Sequence, residues 1–198
     1  MWAVTQADPL TLRDKLLGAT YRCVERFGLG KTTIEDVVKE SGVSRATIYR
    51  QFPGGRDELL LETVGWEVAN FFTDLGDHVR DAPNLEVLLR QGLAYARRQI
   101  TEHAVLRKIL DTEPERLLPL LTTEANRSIP FIADFLQPYL RREADAGRLR
   151  PDVDLETAAE YLARSIVSLI GAPGRWDFDD PDQVRELVRV ELLGGIAA

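Results

Sequence analysis

The sequence has one cysteine, Cys23, and two histidines, His78 and His103. A single thiol excludes an internal disulfide framework and a multi-cysteine metal site. Two histidines leave little from which to build a histidine metal centre. No apolar run approaches the ~18 residues that a membrane span requires. Met1 to Leu10 lacks a basic stretch followed by an apolar core, so no secretory signal is read there. The chain has no HExxH, no glycine-rich phosphate loop and no Cys/His nucleophile pair, which argues against an enzyme and gives no cofactor a place. These absences predict a reduced, cytoplasmic protein with no membrane partner. Aromatic residues are few and β-branched alternation is sparse, whereas Leu, Ala and Arg abound; that balance predicts an all-α fold.

The 198 residues suffice for one or two domains, and a 44% hydrophobic share supports a packed core. The net charge of −7 would disfavour a nucleic-acid partner if it were evenly spread. It is not. Residues 1–60 carry nine Lys/Arg against eight Asp/Glu, a net of +1. Residues 61–198 carry sixteen against twenty-four, a net of −8. Phosphate binding needs local positive charge only, so DNA remains a possible partner for the first part.

Leu12, Leu16, Ala19, Cys23, Val24 and Phe27 recur at helical spacing. Asp8-Pro9 offers a start for this helix and Gly28 with Gly30 a stop. Cys23 lies on the apolar stripe and reads as core. Thr33 is an N-cap for a short second helix, with Asp36 three residues on. Ser41-Gly42 ends it, and Ser44 caps a third helix that runs through Arg50. Pro53-Gly54-Gly55 is a turn. A longer helix is predicted from about Arg56 to about Val79, followed by helical stretches near 84–101, 103–111 and 114–146. The last holds Pro119, Pro130 and Pro138 and is expected to break or kink. Asp154 can cap a helix over 155–170, and Asp180-Pro181 can open a final one to about Leu193. Asp177, Asp179, Asp180 and Asp182 lack the spacing of a calcium loop and read as that helix start. His78 and His103 sit near helix ends and read as solvated or capping.

Two short helices joined by a tight Ser-Gly-Val turn form a helix-turn-helix. Ile34, Val38, Ile48 and Phe52 are expected to pack on the first helix, with Val43 filling the turn. Arg45, Ala46, Thr47, Tyr49 and Arg50 are left on the outside, the face that would enter a major groove. Arg45 can fork onto guanine or reach a phosphate, the Thr47 methyl can touch a thymine methyl, and Tyr49 can reach a phosphate. Backbone N–H groups at Thr33, Ser44 and Arg56 are expected to serve as anion sites, with Arg56 adding a cation.

On these residues the chain resembles the TetR family of bacterial transcriptional regulators. The resemblance runs from Leu12 to Leu61. It rests on Phe27-Gly28, Thr32-Thr33-Ile34, Val37-Val38, Gly42-Val43-Ser44, Thr47-Ile48-Tyr49, Phe52 and the step from Arg56 to Leu59. A lysine is common in the family where Arg56 stands. The resemblance implies an all-helical homodimer, held by its last two long helices, with a helix-turn-helix domain over 1–55 and an effector-binding and dimerisation domain over 56–198.

Phe71, Phe72, Leu75, Leu88, Tyr95, Ile109, Leu110, Leu121, Phe131, Phe135 and Tyr139 could line a cavity between bundle helices. The resemblance supports this reading, since such regulators bind a small effector there. Leu162, Ile166 and Leu169, with Val184, Leu187, Val188 and Leu192, belong to helices that are apolar over more than one face, so they are assigned to a two-fold interface. The function expected is a ligand-responsive repressor released from a palindromic operator by a small, partly hydrophobic effector. An activator of the same fold is the alternative, followed by a carrier or enzyme with a vestigial helix-turn-helix.

Overall fold

The computed structural model describes residues 11–103 and 125–198. Among these, eight α-helices form: α1 (Leu12–Phe27), α2 (Ile34–Ser41), α3 (Arg45–Gln51), α4 (Gly55–Val79), α5 (Leu85–Glu102), α6 (Ala125–Asp145), α7 (Leu155–Gly171) and α8 (Pro181–Leu187). A single π-helical turn, Val188–Leu192, follows α8. The only strand-like pairing among the described residues is an antiparallel bridge between Leu149 and Ala197. The all-α expectation holds. The helix expected at 103–111 lies almost wholly outside the described residues.

The chain divides into two compact units. The first runs through Thr73 and includes His103; the second holds Asp74–Glu102 and the C-terminal helices. The boundary expected at residues 55 and 56 therefore moves into α4. The reason is packing: Leu59 is 1% exposed in the core made by Leu16, Ile34, Val37, Ile48 and Phe52, and Trp66 rests against that core. The first turns of α4 complete the small unit that α1–α3 cannot close alone.

Local capping explains where the first three helices start. Thr11 accepts the Asp14 N–H, and the Asp14 carboxylate accepts the Thr11 N–H, so two orphan donors are satisfied at once. This box sets the start of α1 at Leu12; Asp8 and Pro9, expected to open the helix, lie outside the described residues. Thr33 and Asp36 repeat the arrangement at α2. The Thr33 hydroxyl and N–H hold the Asp36 carboxyl below its ordinary range. Gly42 stands at φ 68°, the left-handed region that glycine enters without strain. The Ser41 hydroxyl accepts the Val43 N–H across the turn at 3.1 Å.

In the second unit α6 packs along α7. Pro130 and Pro138, where a break or a kink was expected, lie inside α6 without ending it. Leu136 and Leu140 are buried on this helix, so tertiary packing outweighs the lost hydrogen bonds. The final helix, expected to reach Leu193 in one piece, changes pitch after Leu187. The Leu193 N–H donates to Val188 C=O, five residues back, and the wider turn lets Leu187, Val188, Leu192 and Leu193 all face inward.

Glu143 is the buried charge of this unit, 3% exposed. Arg148 grips it with two parallel bonds of 2.7 and 2.8 Å, which, ahead of other causes, holds its carboxyl below the usual range. A depressed carboxylate stabilises the fold above its unfolded pKa and loses that effect as pH falls through the folded value. Glu143→Gln is therefore expected to lower stability at pH 7. The gap to the parent should narrow once the pH drops below the ordinary carboxylate range. Urea unfolding of both proteins across that range checks this; a gap independent of pH contradicts it.

Candidate nucleic-acid interface

Helix α3 sets one side chain inward and several outward. Ile48 is fully buried, whereas Arg45, Ala46, Tyr49 and Arg50 are exposed and Thr47 is half-buried. Capping at one end of α3 and packing at the other fix this presentation. The Ser44 hydroxyl accepts the Thr47 N–H at 3.3 Å and lies 3.0 Å from the Thr47 hydroxyl. At the other end, Phe52 is completely buried, with the Arg13 guanidinium 4.5 Å from its ring centroid. Arg13 also donates to the Gln51 carbonyl and pairs with Glu62, so it joins the end of α3 to α1 and α4.

Tyr49 stands over Gly55. A Cβ at Gly55 would lie 3.2 Å from the Tyr49 ring, and Gly55 has φ +70°. Only glycine meets both conditions without strain. The ring thus leans on the start of α4 while 40% of the residue stays exposed. On its other side lies Arg45, whose guanidinium carbon is 5.6 Å from the ring centroid. The Tyr49 phenol first, and the Glu35 carboxylate second, push the Arg45 pKa further above its ordinary value. Glu35, in the first turn of α2, forms an ion pair with Arg45 across the turn.

The three helix starts expected to bind anions differ from that expectation in detail. The Thr33 hydroxyl is held by Asp36 and the Ser44 hydroxyl by Thr47. At α4 the Glu58 carboxylate accepts the Gly54 N–H at 2.6 Å, so the chain supplies its own anion. Arg56 departs furthest. Its guanidinium donates to the carbonyls of Thr32 (2.7 Å), Gly30 (3.1 Å) and Leu29, and pairs with Asp57. It ties the α1–α2 loop to the first turn of α4, a structural task that the expectation of a phosphate cation did not include. Arg56→Met is expected to cost about 2 kcal/mol of stability, since bonds to a charged donor are lost. It should leave the salt dependence of DNA binding unchanged, whereas loss of a phosphate contact would lower the slope by about 0.9. Urea titration and affinity measured against salt separate the two roles.

Residues 16–63 match the model of bacterial regulatory proteins of the tetR family. The match covers about a quarter of the chain, the stretch that carries α1–α3 and the first turns of α4. The HTH-type transcriptional regulator LmrA of Bacillus subtilis is 36% identical over 52 residues, 26% of this chain. That match spans 28% of LmrA's length. Two solved structures share the wider fold. The TetR family repressor AlkX of a Dietzia strain has a TM-score of 0.64 at 23% identity, covering 96% of this chain and 99% of its own. SmeT, repressor of the Stenotrophomonas maltophilia multidrug efflux pump SmeDEF, has a TM-score of 0.60 at 22% identity, covering 95% and 91%.

Outside residues 16–63 the expected sites divide. Of the cavity residues, Ile109, Leu110 and Leu121 lie outside the described residues. Phe71 and Phe72 belong to the first unit, edge-on to one another at 5.2 Å. In the second unit Leu75 and Leu88 are buried as core. Tyr95 is half-buried and stacked on His78 at 4.9 Å. Phe135 and Tyr139 are half-buried with centroids 5.5 Å apart, and Phe131 is exposed. Of the interface residues, Leu162, Val184, Leu187, Val188 and Leu192 are buried within their own subunit. The subunit's own core takes up these five side chains, and with almost no accessible surface they have little to offer a second copy. Ile166 and Leu169 stay half-buried, and Tyr161 and Val190 are exposed.

Among the described residues, no helix is long and apolar enough to cross a membrane.

Proposed function

We propose that this protein is a ligand-responsive, sequence-specific DNA-binding regulator that acts as a repressor. One observation carries the reading: α3 buries Ile48 completely while turning Arg45, Ala46, Tyr49 and Arg50 to solvent, on a unit of the tetR family. In that arrangement Arg45 forks onto a guanine edge, Thr47 and Ala46 offer apolar contact to a thymine methyl, and Tyr49 and Arg50 reach the backbone. Thr33 and Ser44 act by fixing the helix starts, and their neighbouring backbone N–H groups face phosphate.

A two-fold dimer would place two copies of α3 about one duplex turn apart, ~34–36 Å, on a palindromic site. Tyr161, Ile166, Leu169 and Val190 are the apolar surface that α7 and the final turn leave for a second copy. The effector is small and partly hydrophobic. Tyr95, Phe135 and Tyr139 of the second unit offer it aromatic faces. Two proteins of like fold support that chemistry: AlkX is implicated in biodegradation of n-alkanes, and SmeT has been solved with triclosan. Binding that prefers the wrong separation of the two heads shifts the population off DNA.

Native mass spectrometry combined with selection from random duplexes tests this reading. The expected results are a dimer and an enriched palindrome. A reporter placed behind that palindrome should be silenced. A lone subunit, or a pool with no enriched sequence, contradicts the proposal; a reporter switched on identifies an activator instead.

A further inference from the structure

Arg45 does not face DNA as an unconstrained cation. The Glu35 carboxylate holds it from α2, ten positions earlier in the chain. The two residues belong to elements whose relative placement is fixed: the Thr33–Asp36 box locks the start of α2, Gly42 sets the turn, and Ser44 caps α3. Tyr49 bounds the guanidinium on another side. Both partners of the ion pair are more than half exposed, so it adds little to stability. Its consequence lies in recognition.

Resting on the functional reading above, we propose that Glu35 is a specificity-determining residue that orients Arg45 for a guanine edge and penalises its use on phosphate. Guanidinium presents five N–H donors in a fixed plane. One donor to Glu35 fixes that plane and leaves others for the two-pronged contact with guanine N7 and O6. A flexible arginine would otherwise find the nearest phosphate on any sequence. The carboxylate opposes that, because it repels the fully charged phosphate more strongly than the uncharged base edge. Glu35 thus weakens non-specific binding while making the specific contact more selective.

The test compares the parent, Glu35→Ala, Glu35→Gln, Arg45→Ala and the Glu35→Ala/Arg45→Ala double variant. Each is titrated with the duplex selected by the parent and with a scrambled duplex over a range of salt. Glu35→Ala should lose discrimination between the duplexes by on the order of tenfold, with tighter binding to the scrambled one. The salt slope on scrambled DNA should steepen by about 0.9 for each reading head as Arg45 turns to phosphate. Glu35→Gln, which keeps size and polarity, should steepen the slope likewise. In the Arg45→Ala background Glu35→Ala should change discrimination by no more than about twofold, the mark of a coupled pair. Equal losses in both backgrounds, or discrimination unchanged in Glu35→Ala and Glu35→Gln, overturn the role of Glu35 alone. A parent that selects no duplex overturns the functional reading and this role with it.

Discussion

Arg45→Ala is expected to remove most of the preference for the selected duplex while the protein stays folded. Arg45 is exposed and supports no core residue, so its loss leaves Ile48 and Phe52 in place. A two-pronged guanine contact is worth about 1–3 kcal/mol at each half-site, and two half-sites bring the loss to on the order of a hundredfold or more. Binding to scrambled DNA should fall far less. Tyr49→Ala should also weaken binding, but differently. It removes a phosphate-reaching phenol and the ring that bounds Arg45, so affinity should fall on both duplexes. Tyr49→Phe, which retains the ring over Gly55, separates the hydroxyl from the packing. Anisotropy titrations with circular dichroism as the folding control check the series. Unchanged affinity in Arg45→Ala and Tyr49→Ala would remove the outer face of α3 from the interface.

Phe52→Ala is expected to destabilise the first unit by about 3–5 kcal/mol, the cost of deleting a fully buried aromatic ring and leaving a cavity. Its ring lies in the core of α1, α2, α3 and the first turns of α4, and Arg13 sits over it. The loss should be local to that core, because the second unit has its own around Leu140, Leu162 and Leu187. Hydrogen exchange should therefore accelerate across α1–α3 by on the order of a hundredfold or more, with α6 and α7 much less affected. A uniform acceleration over both units would show that they unfold as one.

The start of the chain was legible because its signals are local. Thr33 with Asp36, Gly42 and Ser44 each act within four residues, and a cap or a left-handed glycine declares itself in the sequence. The structural task of Arg56 was hidden because its partners are backbone carbonyls 24–27 positions away, which no side-chain pattern reveals. Glu35 was missed for a related reason. A charge in the first turn of a helix reads as dipole compensation, and only the folded turn sets it against Arg45. A faint signal did exist: opposite charges in the first turns of consecutive short helices. At the C-terminal end, apolar residues on several faces showed that the final helix buries more than one side. Periodicity cannot say whether the burying surface is the subunit's own, and the π-turn after Leu187 shifts the phase on which such a reading depends. The division within α4 was likewise hidden, since it depends on long-range packing of Leu59 and Trp66.

The central claim is that the outward side of α3 lies in a major groove. Dimethyl sulfate protection reports it most directly, because guanine N7 opens onto that groove. With the selected duplex, the parent protein should protect guanines in both halves of the palindrome, and Arg45→Ala should lose that protection at equal occupancy. Binding with every N7 still reactive, or protection identical in the variant, would contradict the account.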